Sequence, residues 1–211
     1  MDAIELIVAT LIGYLIGTLP SADVAARLAT RGRVDLRTTG SGNPGGLNAM
    51  KTIGTAWGVA VIVVDMVKGV AAGVIGMLVA GDGGGYAAAT ASMTGHIFPV
   101  WSRFRGGKGV ATSAGACLAV FPAFFPIDAA VAAGGAARTR NPQRTIWVNA
   151  AVWVGSAVVW WLADLPNLWG PEPTFGLVAF STLGSGLIVW KFHAAALRAR
   201  SLDAVPKSTL S

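Results

Sequence analysis

Seven consecutive residues in the middle of the chain, Arg103-Phe104-Arg105-Gly106-Gly107-Lys108-Gly109, hold three cations and three glycines. Glycine lets backbone N–H groups turn toward a ligand and lets the chain approach it closely. Lysine adds a mobile point charge suited to phosphate. Apolar stretches flank the segment, so it reads as an anion cradle at a membrane surface, with Arg105, Gly106, Gly107, Lys108 and Gly109 as its contacts. It is not a P-loop, which needs a glycine five positions before the one preceding the lysine, where this chain has Ser102. Placement of charge beside a membrane explains the cations but not the glycines among them. Thr112, just beyond, either donates its hydroxyl to the same anion or caps the helix that follows. His96, upstream, is a proton shuttle or a hydrogen-bonded structural histidine.

A second polar stretch, Ser41-Gly42-Asn43-Pro44-Gly45-Gly46-Leu47-Asn48, carries no charge. Its glycines allow a compact loop, while Ser41, Asn43 and Asn48 supply donors and acceptors suited to a glycerol hydroxyl or a phosphate oxygen. Asn, Gly and Pro are also ordinary turn residues, which leaves a plain turn as the other reading. Lys51 follows as a further phosphate contact or a simple surface anchor. Asp65 and Lys68, three apart inside an apolar run, share one helix face. Ionisable groups in such a run are costly and default to paired or functional roles, here an ion pair holding helices together or a substrate contact. No Ser/His/Asp order or paired carboxylates suggest another route, and the single Cys117 excludes an intramolecular disulfide. No metal site and no cofactor are expected.

The elements that must position these groups are apolar helices. Of 211 residues, 54% are hydrophobic and 12% charged, about half the charge content of a soluble domain, and the mean hydropathy is +0.61. A soluble α/β domain rich in Ala and Gly is the alternative that the long uncharged runs disfavour. Candidate spans are Ala3 to Leu19, Ala56 to Ala80, Tyr86 to Trp101, Ile146 to Ala163 and Phe175 to Phe192, and Gly81-Asp82-Gly83-Gly84-Gly85 reads as a tight turn. Val110 to Ala137, interrupted by Pro122, Pro126 and Asp128, is either two short helices or a re-entrant hairpin. Asp2 and Glu5 stand where a signal peptide would want bases.

Fifteen of the 16 Lys and Arg residues fall in four blocks, 27–51, 103–108, 138–144 and 191–207, and the segments between carry Asp82, Asp128, Asp164 and Glu172. Positive charge in short loops marks the cytoplasmic side. For all four blocks to face one side the chain must cross about seven times, with its N-terminus outside and its C-terminus cytoplasmic. The expected organisation is an all-α, polytopic membrane protein, with one embedded domain over 1–195 and a short basic tail over 196–211. Topology and anionic headgroups account for the positive excess, so nucleic acid is not an expected partner.

Gly-Gly-Lys-Gly-Val-Ala-Thr (106–112), preceded by Gly-His-x-Phe-Pro-Val (95–100), resembles the second signature of the bacterial acyl-phosphate:glycerol-3-phosphate acyltransferases, the PlsY family. Ser41 to Asn48 is similar to that family's first signature, Ser-Gly-Asn-x-Gly-x-x-Asn, at every fixed position, and Asp65, Lys68 and Gly69 resemble its Asp-x-x-Lys-Gly. The resemblance implies a seven-helix protein of the bacterial inner membrane with a site facing the cytoplasm. It implies acyl transfer from acyl phosphate to glycerol 3-phosphate, giving lysophosphatidic acid and phosphate, with no metal, acyl-CoA or acyl carrier protein. Ser41, Asn43, His96 and Lys108 would then form the catalytic set. Asn48, Lys51, Arg105, Gly106, Gly107, Gly109, Thr112 and His193 would bind substrate, and Asp65 and Lys68 would pair. Acyl phosphate is already activated, so clustered cations and donors that hold the hydroxyl against the carbonyl suffice, and a phosphate oxygen can take the hydroxyl proton.

The family's C-terminal signature is matched at His193 but not at its Asn and Glu positions, here Ala196 and Val205, and Thr139 to Thr145 lacks the family's serines. Each lost polar contact costs ~1–3 kcal/mol. An acyltransferase weakened at these positions and a non-catalytic phosphate- or phospholipid-binding relative both remain open, with a transporter behind them. The expected partners are glycerol 3-phosphate, acyl phosphate and membrane lipid; the sequence leaves the oligomeric state open.

Overall fold

In the computed structural model, residues 2–138 and 141–203 are described, and every regular element among them is helical. Thr139, Arg140, Val205 and Lys207 lie outside the described residues, and with them the signature position at 205.

Helix α1 (Ala3–Gly17) starts on a capping box in which Asp2 accepts from the Ile4 N–H and Glu5 reaches back to the Asp2 N–H. It ends ahead of Pro20, and α2 (Ser21–Thr30) leaves at the surface. The first polar loop leads to the short α3 (Gly46–Thr52) and then to α4 (Thr55–Ile97). A further chain reversal through the 3₁₀ turn Val100–Ser102 precedes α5 (Val110–Val120), α6 (Phe125–Arg138), α7 (Pro142–Leu162) and α8 (Phe175–Asp203).

Helix α4 is two antiparallel arms. The chain reverses at Ala80 and Gly81, the latter at φ 59°, ψ −156°, a region open essentially only to glycine. Asp82 to Gly85, expected as part of the turn, are already helical. Their glycines serve the packing of the two arms instead: a Cβ on Gly84 would strike the Gly76 carbonyl, and one on Gly76 the Gly84 carbonyl. Small residues also let α1 cross the second arm closely, with Gly13 against Ala88 and Gly17 against Ser92. Gly69 and Gly73 of the first arm meet α5 at Thr112 and Ala119. Lipid tails are as apolar as side chains, so helices in a bilayer gain from such close backbone approach. The outward faces of α1, at Ile4, Ile7 and Leu11, are exposed.

Among the described residues, four segments are long and apolar enough to cross a membrane: Ala3–Thr30, Thr55–Ser102, Gln143–Leu162 and Phe175–Arg198. The region 110–137 is two helices, α5 and α6, separated by a 3₁₀ turn at Pro122–Phe124 because proline cannot donate into a continuing helix. Neither has the length of a full crossing. The boundary expected at 195 falls inside α8, which continues to Asp203.

The bundle has a charge-sorted pair of ends. At one, Glu172 N–H donates to Asp82 and the Tyr86 hydroxyl donates to the Glu172 carbonyl, tying the α4 turn to the acidic α7–α8 loop. That loop also covers the end of α5, where Trp169 and Asn167 donate to the carbonyls of Leu118 and Val120. At the other end lie the two glycine-rich loops. Between the ends, Phe124, Trp153 and Phe180 interlock, with ring centroids 6.0 and 5.3 Å apart.

Candidate active site

Three ionisable side chains meet where α1 ends against both arms of α4. Lys68 Nζ lies 2.7 Å from Asp65 Oδ1, and both side chains are almost wholly buried. The i, i+3 spacing on α4 puts them on one face. Lys68 also donates to the Leu19 carbonyl at 2.9 Å, in the turn between α1 and α2. The Ser21 hydroxyl, at the start of α2, donates to Asp65 at 2.5 Å. His96, on the second arm, brings Nδ1 to 3.3 Å from Lys68 Nζ and 3.6 Å from Asp65 Oδ1. An ammonium has only protons to give. Facing one, Nδ1 acts as the acceptor and the ring proton is assigned to Nε2. Nε2 is the nitrogen that a Cβ on Gly107 would strike.

The glycine loop is therefore folded onto this hub. Gly107 N–H donates to the His96 carbonyl at 3.2 Å and Gly106 N–H to the Ile97 carbonyl at 3.1 Å. These bonds close the end of α4. The sequence suggested that the same N–H groups face an anion; in the folded chain they are engaged by backbone. The free donors of this loop lie one step on, in the first turn of α5. Its N-terminus follows Gly109, which takes φ 85° and supplies no side-chain cap. The first N–H groups of a helix lack intrahelical partners and favour anions. Lys108 stands at that turn with Nζ 4.2 Å above the Phe192 ring of α8. Burial against this surface pulls the Lys108 ammonium below its ordinary pKa.

The first loop comes to the same place. Asn48 is buried and holds its turn together: Nδ2 donates to the carbonyls of Leu36 and Thr39 at 3.0 and 2.9 Å, and Oδ1 accepts from the Ser41 N–H at 2.9 Å. This fixes Pro44, whose carbonyl would lie 3.1 Å from a Cβ on Gly107. Arg37 links the two loops. Its Nη1 and Nη2 hold both carboxylate oxygens of Asp23, its Nη2 reaches Ser102 Oγ at 3.0 Å, and its Nε donates to the Arg105 carbonyl at 2.9 Å. A planar guanidinium does this because its donors are fixed in a fork. Between these parts is a narrow open cleft, lined by Ser21, Arg37, Pro44, Lys68, His96 and Gly107, among others.

The candidates from the sequence thus divide. His96, Lys68, Gly106 and Gly107 line the cleft, with Lys108 and Gly109 next along the loop. Ser41 is exposed and Asn43 half-buried at the mouth of the first loop. Lys51, Arg105 and His193 are exposed, the last on α8 one residue beyond Phe192. Thr112 is wholly buried against α4, and its hydroxyl has no partner. Ser21, Asp23 and Ser102 were missed, and Arg37 counted only as one charge among a basic block. Their roles depend on contacts across 14 to 68 positions, and no local spacing announces those.

The glycerol-3-phosphate acyltransferase family model matches residues 7–201. A glycerol-3-phosphate acyltransferase of Bradyrhizobium diazoefficiens is 33% identical over 187 residues, which cover 89% of this chain and 86% of the relative. One from Sinorhizobium fredii is 39% identical over 140 residues, covering 66% of this chain and 68% of the relative. With that of Nitrobacter winogradskyi the identity is 44% over 115 residues, a stretch spanning 54% of this chain and 58% of the relative's length. Crystal structures of PlsY, an integral membrane glycerol 3-phosphate acyltransferase, superpose on 93% of this chain and 92% of their own at 25% identity. The TM-scores are 0.73 for the glycerol 3-phosphate form and 0.74 for the lysophosphatidic acid form.

Proposed function

The chain belongs to the glycerol-3-phosphate acyltransferase family, and on that premise we propose that it moves an acyl group from acyl phosphate to glycerol 3-phosphate, forming lysophosphatidic acid. The observation that carries the mechanism is the meeting of the Asn-bearing and Lys-bearing loops, with the Pro44 carbonyl, Gly107 and the His96 ring at one point. Lys108 and the N-terminal turn of α5 hold one phosphoryl group. The His96 Nε2 proton and the polar rim of the cleft, Arg37 and Ser21, orient the other substrate. Ser41 and Asn43 contact it at the mouth, while Asn48 acts through the loop it pins. Lys51, Arg105 and His193 add charge and donors around the opening. The glycerol hydroxyl attacks the acyl carbonyl, the C–O bond to phosphate breaks, and the departing phosphate carries away the hydroxyl proton. Fixed donors stabilise the charge that develops on the carbonyl oxygen.

The end of the bundle bearing these loops faces the cytoplasm of the bacterial inner membrane, and the acidic end faces out. The clustering of base at one and acid at the other supports this orientation. Residues 1–195 act as one embedded unit, followed by a short basic cytoplasmic tail over 196–211.

The test is lysophosphatidate formation from palmitoyl phosphate and labelled glycerol 3-phosphate by the purified protein in lipid. Lys108→Ala is expected to cut the rate by ~100-fold or more, the scale of losing one preorganised charge or donor at a developing oxyanion. Binding of glycerol 3-phosphate without product from the wild type would contradict the reading.

A further inference from the structure

A second chamber lies beneath the glycine loop, on the opposite side of α5 from the hub. It is a small, partly open gap between α5, α6, α7 and α8, with room for a group the size of one or two water molecules. Val110, Ser113 and Cys117 line it from α5, spaced three and four apart on one face. Val110 directly follows Lys108 and Gly109, and Ile188, another wall of the chamber, would lie 3.9 Å from a Cβ on Gly109. Its lining therefore begins beside the phosphate loop and follows one face of α5 for about 10 Å, the length of two helical turns.

Its lining is polar where an ordinary acyl channel has no use for polarity. Asp128 accepts from Asn149 Nδ2 at 2.6 Å. Asn149 Oδ1, Trp153 Nε1 and Ser185 Oγ also line the chamber, and each is buried without a hydrogen-bond partner. Trp153 and Ser185 are only 3% and 6% exposed. Buried polar atoms left unpaired cost free energy, and a native structure keeps them where a partner completes them. The unmet needs are mixed. The indole N–H requires an acceptor, Asn149 Oδ1 requires a donor, and the serine can be either. A carboxylate or a metal cation answers only one kind, whereas a hydroxyl, like the water it would displace, answers both.

We propose that this chamber binds a hydroxyl carried near the carboxyl end of the acyl chain, so that the enzyme selects oxygenated acyl phosphates. The inference rests on the acyl-transfer reading above. With the donor's phosphate at Lys108, its first carbons run past Val110 and Ser113. A hydroxyl there comes among Asn149, Trp153 and Ser185. A site built to hydrogen-bond a substrate hydroxyl rejects the analogue lacking it, because its own polar groups stay unpaired.

The experiment compares 3-hydroxypalmitoyl phosphate with palmitoyl phosphate, each with glycerol 3-phosphate and the full chain in lipid. The expected ratio of kcat/KM is ~10 or more in favour of the hydroxylated donor. Trp153→Phe keeps the ring packed and removes the N–H; Ser185→Ala removes the hydroxyl. Both are expected to bring the ratio toward about one. A wild-type ratio of one, with turnover of both donors, means that the chamber holds water alone and overturns this inference while acyl transfer stands. A ratio unchanged by both variants also overturns it. Turnover of neither donor would overturn the acyl-transfer reading and this inference together.

Discussion

The two sides of α5 treat polar groups in opposite ways. On the α1–α4 side, Asp65, Lys68, His96, Ser21 and Asn48 satisfy one another and nearby backbone, and the Thr112 hydroxyl is the exception. On the α6–α8 side, the polar atoms of Trp153, Ser181 and Ser185 are buried with none. The first side is a scaffold whose ionised groups are paired before any ligand arrives, holding two loops from distant parts of the chain at fixed spacing. The second is unfinished without an occupant. A membrane protein gains little from burying apolar surface against lipid, so internal polar pairs carry much of the specificity of its packing. The difference marks which side is held rigid and which is left to a substrate.

Substitutions that remove one partner should therefore weigh very differently on the two sides. Lys68→Met leaves the Asp65 charge buried without a counter-ion, and a loss of ~3–5 kcal/mol is expected. Thermal unfolding in detergent would register it, and an unchanged midpoint would erase the distinction. Asn48→Ala strands the Leu36 and Thr39 carbonyls and the Ser41 N–H. It is expected to lower stability by ~1–3 kcal/mol and to slow acyl transfer through loop displacement, although Asn48 is buried. Ser185→Ala removes an unpaired hydroxyl from the other side, and the same assay should show a change near zero or a slight gain. A loss comparable to that of Asn48→Ala would mean the chamber is as self-satisfied as the hub.

Much of this was legible from residue order. Uncharged runs and their bounding prolines mark the helices, and the two glycine-rich signatures mark the loops that meet at the cleft. Asp65 and Lys68 stand out because charge inside an apolar run demands a partner. Other features depend on geometry that no spacing encodes. The α4 reversal needs only Ala80 and Gly81, so the glycines after it, which look like a turn, serve helix packing instead. Gly106 and Gly107 look like phosphate donors, yet their N–H groups close α4, and the open donors pass to the start of α5. Arg37 is one base among five in its block of sequence. Only the fold reveals it as the tie between α2, the first loop and the glycine loop.

The central claim is that the two loops must touch at Gly107 for acyl transfer to occur. A side chain at Gly107 would enter the His96 ring and press on the Pro44 carbonyl. The decisive measurement is the rate of lysophosphatidate formation by Gly107→Val, with unfolding followed on the same sample. A folded protein with its rate cut by ~100-fold or more, as for loss of a preorganised site, is the expected result. A folded Gly107→Val with wild-type turnover would contradict the account.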